Sequence, residues 1–123
     1  MSEPATTRRL PAGKIEVAPR ALQSIAAATV TRCYGVVGMA PHTLREGVAQ
    51  VLRQQDAHKG VEVRVRGGEV EIDLYIIVAY GTRIAEVARN AQEAVRYAIE
   101  RAIGAPVARV NVRVQGLRTA EAT

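Results

Sequence analysis

The chain contains no phenylalanine and no tryptophan, and its aromatic residues are four tyrosines. A hydrophobic core must therefore come mainly from Val, Ile, Leu and Ala, and the many β-branched side chains favour a sheet with helices of small residues packed on it. The 123 residues are enough for one domain that folds without disulfides or metal. No apolar run approaches the ~18 residues of a membrane-spanning helix, and residues 1–4 do not begin a signal peptide.

Residues that could act as catalytic groups or metal ligands are also few. The single cysteine, Cys33, cannot form an intrachain disulfide, which is typical of a reducing compartment. His42 and His58 lack the Cys, His or carboxylate spacing of a zinc site, and we expect both at the surface. The sequence has no Ser/His/Asp set and no phosphate-cradling loop. We therefore expect a cytoplasmic protein that is not an enzyme, that holds no cofactor or metal, and that has no evident small-molecule substrate.

The charge balance is basic, with 17 Lys and Arg against 12 Asp and Glu and a net charge of +5. A strongly basic chain can bind nucleic acid or anionic headgroups, but such a site is usually a localised patch. Here the basic residues are spread along the chain and form no stripe interleaved with aromatics. The pattern favours ordinary solvated surfaces, and we expect no specific nucleic-acid binding.

The first half of the chain gives weaker structural signals than the second. Residues 1–12 have no apolar periodicity and predict a disordered tail. Residues 14–17 alternate as a short strand, and Pro19 suits the first turn of a helix that Gly35 ends. A marginal second helix is predicted over residues 42–55.

A β-hairpin and a long helix dominate the second half. Gly67-Gly68 separates two alternating runs and favours a type I′ turn. This turn fixes a register with two cross-strand ion pairs on the outer face, Arg66 with Glu69 and Arg64 with Glu71. The helix after Gly81 carries an apolar stripe, with Val95 and Ile99 at its centre. An alternating run over residues 109–115 predicts the last strand.

The element order β-α-(α)-β-β-α-β predicts an α+β fold. It would have two layers, a mostly antiparallel four-stranded sheet with helices packed on one face. The domain is expected to span residues 13–117, and residues 118–123 are predicted to be a second disordered tail.

The outer face of the second hairpin strand changes character along its length. Its first three outward residues are acidic, and the next three are Tyr75, Ile77 and Ala79. A half-solvated strand should keep its outer face polar, so these three residues are a candidate protein interface. The alternative is that residues 1–12 or residues 42–55 fold over them.

Several segments together resemble the bacterial alkaline-shock-protein family, also called envelope stress response proteins. They are GKIEV, GVVGM, GVEVRV, EIDLYIIVAYG, RIAEVARNAQEAVRYAIERAIG and VARVNVRVQG. Their order and spacing carry the resemblance over residues 13–117, and the family's polar positions match Asn90, Gln92 and Asn111. The sequence departs from the family at Ala18, where a Ser-type helix cap is common.

The resemblance implies a function without catalysis. Members of the family are cytosolic, self-associate as homo-oligomers and reach the cell envelope through a membrane-anchored partner, which can be a small membrane protein. They are linked to alkaline, envelope or general stress. No catalytic residues carry over to this sequence.

A KH-type RNA-binding domain is the alternative interpretation. The order β-α-GxxG-α-β-β-α places Gly35, Val36, Val37 and Gly38 at the loop that clamps a nucleic-acid backbone. The two middle residues are apolar, however, and residues 33–42 contain no Lys or Arg. The pattern therefore favours a tight turn between two helices over an RNA-binding loop.

Overall fold

The computed structural model describes residues 6–10, 13–41 and 51–119. Within these residues, strands and helices follow one another in the order β1 Thr6–Leu10, β2 Gly13–Val17, α1 Pro19–Val30, β3 Val36–Met39, a 3₁₀ helix Gln54–Gly60, β4 Val61–Arg66, β5 Glu69–Ala79, α2 Ile84–Ile103 and β6 Arg109–Arg118.

The longest strand, β5, is the centre of the main sheet. One edge of β5 pairs in parallel with β6, and the other edge pairs with two antiparallel strands placed end to end. β4 lies along the first half of β5, and β3 lies along its last residues. Where these two strands meet, the N–H of Ala40 donates to the carbonyl of Tyr75 at 2.9 Å. The predicted α+β class, with a mostly antiparallel four-stranded sheet, is confirmed.

The hairpin between β4 and β5 forms as the sequence predicts. Gly67 and Gly68 both have positive φ, 56° and 82°, a conformation that glycine adopts at little steric cost. The strands pair in the predicted register, with Arg66 opposite Glu69 and Arg64 opposite Glu71.

One strand of the main sheet differs from the prediction. Residues 14–17 do form a strand, but β2 pairs with β1 in a separate two-stranded sheet. β3 takes the fourth place in the main sheet because Val36 and Met39 bury their side chains while their backbones pair with β5. A four-residue strand that includes Gly38 shows no apolar alternation, so its pattern predicts a turn.

The predicted disordered tail over residues 1–12 is wrong for Thr6–Leu10. These residues form β1 because their backbones pair with β2 along the whole strand. At the other end, β6 includes Arg118, the first residue of the second predicted tail. Thr119 is described and has no regular structure. The other residues of the two predicted tails, 1–5, 11–12 and 120–123, lie outside the described part of the chain. The domain boundaries at 13 and 117 stay predictions.

The predicted helix over residues 42–55 is tested only at its end. Residues 42–50, which include His42, lie outside the described residues. Residues 51–53 have no regular structure, and the 3₁₀ helix follows directly. His58, which was expected at the surface, is half-buried on this 3₁₀ helix.

Both helices pack on one face of the sheet. This face of β5 consists of the alternate residues Val70, Ile72, Leu74, Ile76 and Val78. α1 buries Leu22, Ala26 and Val30 against the core, and α2 buries a residue at every fourth position: Val87, Ala91, Val95, Ile99 and Ile103. Val95 and Ile99 are fully buried, so the predicted centre of the stripe is confirmed.

Candidate functional site

The candidate interface residues lie on the face of β5 that points away from the helices. Tyr75 is 7% exposed and Ile77 is 0% exposed, while Ala79 is half-buried. The structure therefore differs from the predicted open contact surface, because other residues of the same chain already cover the side chains of Tyr75 and Ile77. Val51 lies close by, since a Cβ added to Gly38, which pairs with Ile77, would be 2.6 Å from Val51 Cγ1. Val51 belongs to the predicted second helix, one of the two segments named as alternative covers.

The candidate nucleic-acid loop is part of a strand. Gly35 ends the turn after α1, and Val36, Val37 and Gly38 belong to β3. Val36 is buried, and Val37 is 41% exposed at an irregularity in the pairing with β5. A KH loop must lie free between two helices to clamp a nucleic-acid backbone. At these residues the structure therefore differs from both the KH loop and the predicted tight turn, because Val36–Met39 are a strand.

The candidate interface residues and the candidate nucleic-acid loop nevertheless lie side by side, because β3 pairs with the end of β5. The N–H of Ala79 donates to the carbonyl of Gly35 at 2.7 Å. Tyr34 precedes Gly35 and Tyr80 follows Ala79, so each tyrosine is next to a residue of this bond. These tyrosines are 82% and 71% exposed, which is unusual for large side chains in a chain with so few aromatics. Sequence analysis missed both residues, although a tyrosine placed directly before Gly81 at a strand end was a usable signal.

Other exposed apolar side chains lie at the same end of the sheet. The N–H of Tyr80 donates to the carbonyl of Arg118 at 2.7 Å, which brings in the end of β6 with its exposed Leu117. Ile84, also exposed, is the first residue of α2. We call these four residues, Tyr34, Tyr80, Ile84 and Leu117, the tyrosine end. An apolar group of this kind tends to mark an interaction site.

A groove of about 300 Å³ opens at the tyrosine end, between the turn after α1 and the start of α2. Its lining residues are Tyr34, Gly81, Thr82, Arg83, Glu86, Val87 and Asn90. Arg83 occupies the N-cap position of α2, and no side-chain hydrogen bond caps this helix in the described part of the chain. The N–H groups of the first helical turn therefore add positive potential beside the groove.

Gly35 determines how closely α2 approaches the turn after α1. Its φ is +87°, and a Cβ added there would lie 2.5 Å from Cγ2 of Val87. Gly81, on the other side of the groove, has a similar φ of +92° but would meet no atom within 4 Å. Of these two glycines, Gly35 is the one that combines a left-handed backbone with a close contact.

Gly35→Ala should destabilise the domain more than Gly81→Ala, by about 1–3 kcal/mol. Both variants carry the backbone strain of a left-handed alanine, whereas only Gly35→Ala pushes against Val87. Urea unfolding of the two purified variants measures the difference in the free energy of unfolding. Equal losses of stability would show that the contact with Val87 is unimportant.

A charged network occupies the outer face of the sheet, away from the tyrosine end. The guanidinium of Arg64 binds Asp73 at 2.8 Å and Glu71 at 3.2 Å, and it also contacts Glu62. Asn111 Nδ2 donates to Asp73 at 2.7 Å and to Glu71 at 3.1 Å. Asp73 is 2% exposed, so its carboxylate needs these partners to remain charged. The predicted Arg64–Glu71 pair is confirmed, while the burial of Asp73 was not foreseen.

The network lowers the pKa of both carboxyl groups that it binds. Burial alone would raise the pKa of Asp73, but the hydrogen bonds from Arg64 and Asn111 outweigh burial and hold it below its ordinary value. The pKa of Glu71 is lowered by the hydrogen bond from Arg64 and then by that from Asn111. Both groups are therefore ionised at neutral pH and poorly suited to donate or accept a proton in catalysis.

Asp73→Asn should lower the free energy of unfolding by about 1–3 kcal/mol at neutral pH, because it removes the buried carboxylate that Arg64 and Asn111 bind, while Arg64 keeps its more exposed partners. The folded pKa of Asp73 lies below its unfolded value of about 3.9. Its stabilising contribution is therefore complete above that pH and is lost as the pH falls toward the folded pKa. Urea unfolding between neutral and acidic pH should show a flatter acid slope in the variant. Glu69→Gln, at an exposed position on the same strand, is the control, and an equal response in both variants would contradict the network.

The other reactive groups give no sign of an active site. Cys33 Sγ lies 3.6 Å from the carbonyl of Thr29, and burial raises the pKa of the thiol, which disfavours the nucleophilic thiolate. Among the described residues, no group of three or more His, Cys, Asp or Glu side chains could hold a metal ion. The described helices also include none long and apolar enough to cross a membrane.

Comparison with known proteins identifies the class of this chain. Residues 8–119 match the alkaline shock protein 23 family, which is described by its cell envelope-related function. The chain belongs to this family, and the resemblance to alkaline-shock proteins is thereby confirmed.

The chain is also similar to individual proteins. The chain is 41% identical to YloU of Bacillus subtilis (strain 168) over 107 residues, covering 86% of this chain and 89% of YloU. It is 32% identical to Spy1614 of Streptococcus pyogenes serotype M6 over 107 residues, covering 86% of this chain and 88% of the relative. A solved MamM CTD variant matches with a TM-score of 0.49 at 18% identity, covering 84% of this chain and 87% of that chain.

Proposed function

We propose that this protein is a non-catalytic interaction module of the cytoplasm. It self-associates, is held at the cell envelope by a membrane-anchored partner, and takes part in the stress response. The observation that carries the proposal is the exposure of Tyr34 and Tyr80, 82% and 71%, which are the two most exposed large apolar side chains among the described residues and lie beside a groove. Membership of a family with a cell envelope-related function supports the link to the envelope.

The chemistry of the described residues supports a role without catalysis. The carboxylates of Glu71 and Asp73 are bound by Arg64 and Asn111, and their lowered pKa values make them poor general acids or bases near neutral pH. The raised pKa of the Cys33 thiol disfavours the thiolate, so Cys33 is a poor nucleophile as well.

The edge of the sheet at β6 supports self-association. β6 pairs with β5 along one edge, and within the described part of the chain no strand pairs with its other edge. An unpaired edge offers backbone N–H and C=O groups to another strand. Val114 lies in the middle of this strand and is exposed, so a second copy that pairs there would cover it.

Val114→Lys should weaken self-association without unfolding the domain, because its side chain is already solvent-accessible in the single chain. Sedimentation velocity over a range of concentrations measures the mass of the wild-type and variant proteins. Tyr97→Lys, on the exposed side of α2, is the matched control and should leave the mass unchanged. A wild-type protein that keeps the mass of one chain at every concentration would contradict self-association.

Binding to membranes should require a membrane protein. We expect the purified chain to sediment with native membranes and to lose this binding once exposed protein segments are removed from them by protease. Vesicles made from the extracted lipids alone should not bind the chain. Equal binding to these vesicles, or no binding to native membranes, would contradict the proposed partner.

A further inference from the structure

We infer that the groove at the tyrosine end binds a short amphipathic, acidic segment of the membrane-anchored partner. Apolar side chains of that segment would pack against Tyr34 and Val87, and its carboxylates would face Arg83 and the start of α2. The inference rests on the proposed function, to which it adds the location of the docking site and the chemistry of the segment that docks.

The shape and composition of the groove suit side chains of a peptide. Its volume of about 300 Å³ is at the lower limit of small-molecule pockets, enough for one or two large side chains. Tyr34 forms one wall and remains 82% exposed, while Val87 is buried at the base. Exposed tyrosines provide a large contact area at a low cost in conformational entropy and are enriched among residues that dominate binding energy.

The charges around the groove favour a carboxylate-bearing occupant. Arg83 lines the groove with an 88% exposed side chain, and the exposed Arg32 lies on the turn that carries Tyr34. Glu86 is the acidic residue of the lining, and its pairing with Arg83 at 3.3 Å is solvent-exposed and therefore weak. The first-turn N–H groups of α2 add partial positive charge on the same side.

The same features disfavour two other occupants. A second copy of the chain that docked through its own groove would bring one Arg83 toward the other, and like charges oppose association. A flat lipid surface could contact Tyr34 and Tyr80 but would not fill a concave site between two chain segments. An acidic, apolar peptide satisfies both the shape and the charge.

The test uses two synthetic helix-forming peptides and the full-length ¹⁵N-labelled protein. One peptide consists of Leu and Glu in amphipathic order, and in the other every Glu is replaced by Lys. In an NMR titration, the Leu/Glu peptide should shift the amide signals of Tyr34, Gly81, Thr82, Arg83 and Val87. The Leu/Lys peptide should bind at least about tenfold more weakly, a difference of about 1.4 kcal/mol. Shifts confined to another surface, or equal affinity for both peptides, would overturn the inference.

Variants locate the binding energy within the site. Tyr34→Ser combined with Tyr80→Ser should lower the affinity for the Leu/Glu peptide by about tenfold or more. Tyr97→Ser removes a comparably exposed tyrosine from the far part of α2 and should change the affinity less than about twofold. Arg83→Gln should weaken binding, whereas Arg89→Gln, at an exposed position on the same helix, should not. Equal losses in Tyr97→Ser or Arg89→Gln, or binding to phosphatidylglycerol vesicles in place of the peptide, would contradict the proposed site.

Membrane sedimentation separates this inference from the proposed function. If the wild-type chain binds native membranes and the Tyr34→Ser, Tyr80→Ser variant binds equally well, the docking site is wrong while the function stands. If the wild-type chain does not bind native membranes, the proposed function is wrong, and the peptide titration still decides whether the groove binds acidic peptides. Unchanged melting temperatures of the variants confirm that they remain folded.

Discussion

The burial of β5 on both of its faces is the constraint on which the rest of the structure depends. Its helix-facing residues form the core with α1 and α2, and Asp73, Tyr75 and Ile77 on the opposite face are also buried. A strand with both faces and both edges occupied leaves few places for a partner. Among the described residues, two accessible places are the edge of β6 with which no described strand pairs and the turns at the end of β5, where Tyr34 and Tyr80 are exposed.

A strand buried on both faces would ordinarily be apolar throughout, and Asp73 is the exception. The cost of burying its carboxylate is offset by Arg64 and Asn111, which come from the strands on either side of β5. Each partner lies directly beside or diagonal to Asp73 only in the observed register. A shift of one residue in either strand would move these partners to the other face of the sheet and leave the carboxylate buried and unpaired. The network therefore specifies the alignment of three strands, in addition to any net stabilisation.

The sequence was informative wherever a segment follows one periodicity over its whole length. The hairpin register around Gly67-Gly68 and the apolar stripe of α2 follow from local patterns, and both are found in the structure. β3 was missed because Val36–Met39 are extended through backbone pairing with the distant strand β5. No local sequence pattern indicates such a pairing. β1 was missed for the same reason. The composition of Thr6–Leu10 does not predict a strand, and these residues are extended because they pair with β2.

The candidate site shows the same division between local and non-local information. The change from acidic to apolar residues along β5 correctly indicated that something packs on its outer face. It could not indicate whether the contact comes from the same chain, and the burial of Ile77 shows that it does. The groove was beyond sequence analysis because Tyr34 is distant along the chain from Gly81 and Val87 and meets them through the close approach at Gly35.

The end-to-end placement of β3 and β4 gives one part of this fold unusual freedom to vary in length. After Ala40 the chain leaves the sheet, and it comes back beside Met39 at Leu52, whose N–H donates to the Met39 carbonyl at 2.7 Å. The intervening segment therefore begins and ends at nearly the same point, so its length is not set by any distance that it must span. Doubling a loop with fixed ends costs only about 0.6 kcal/mol in closure entropy. A change in the number of residues between Met39 and Leu52 therefore adds little closure entropy, and the hydrogen bond that joins these two residues can keep its place.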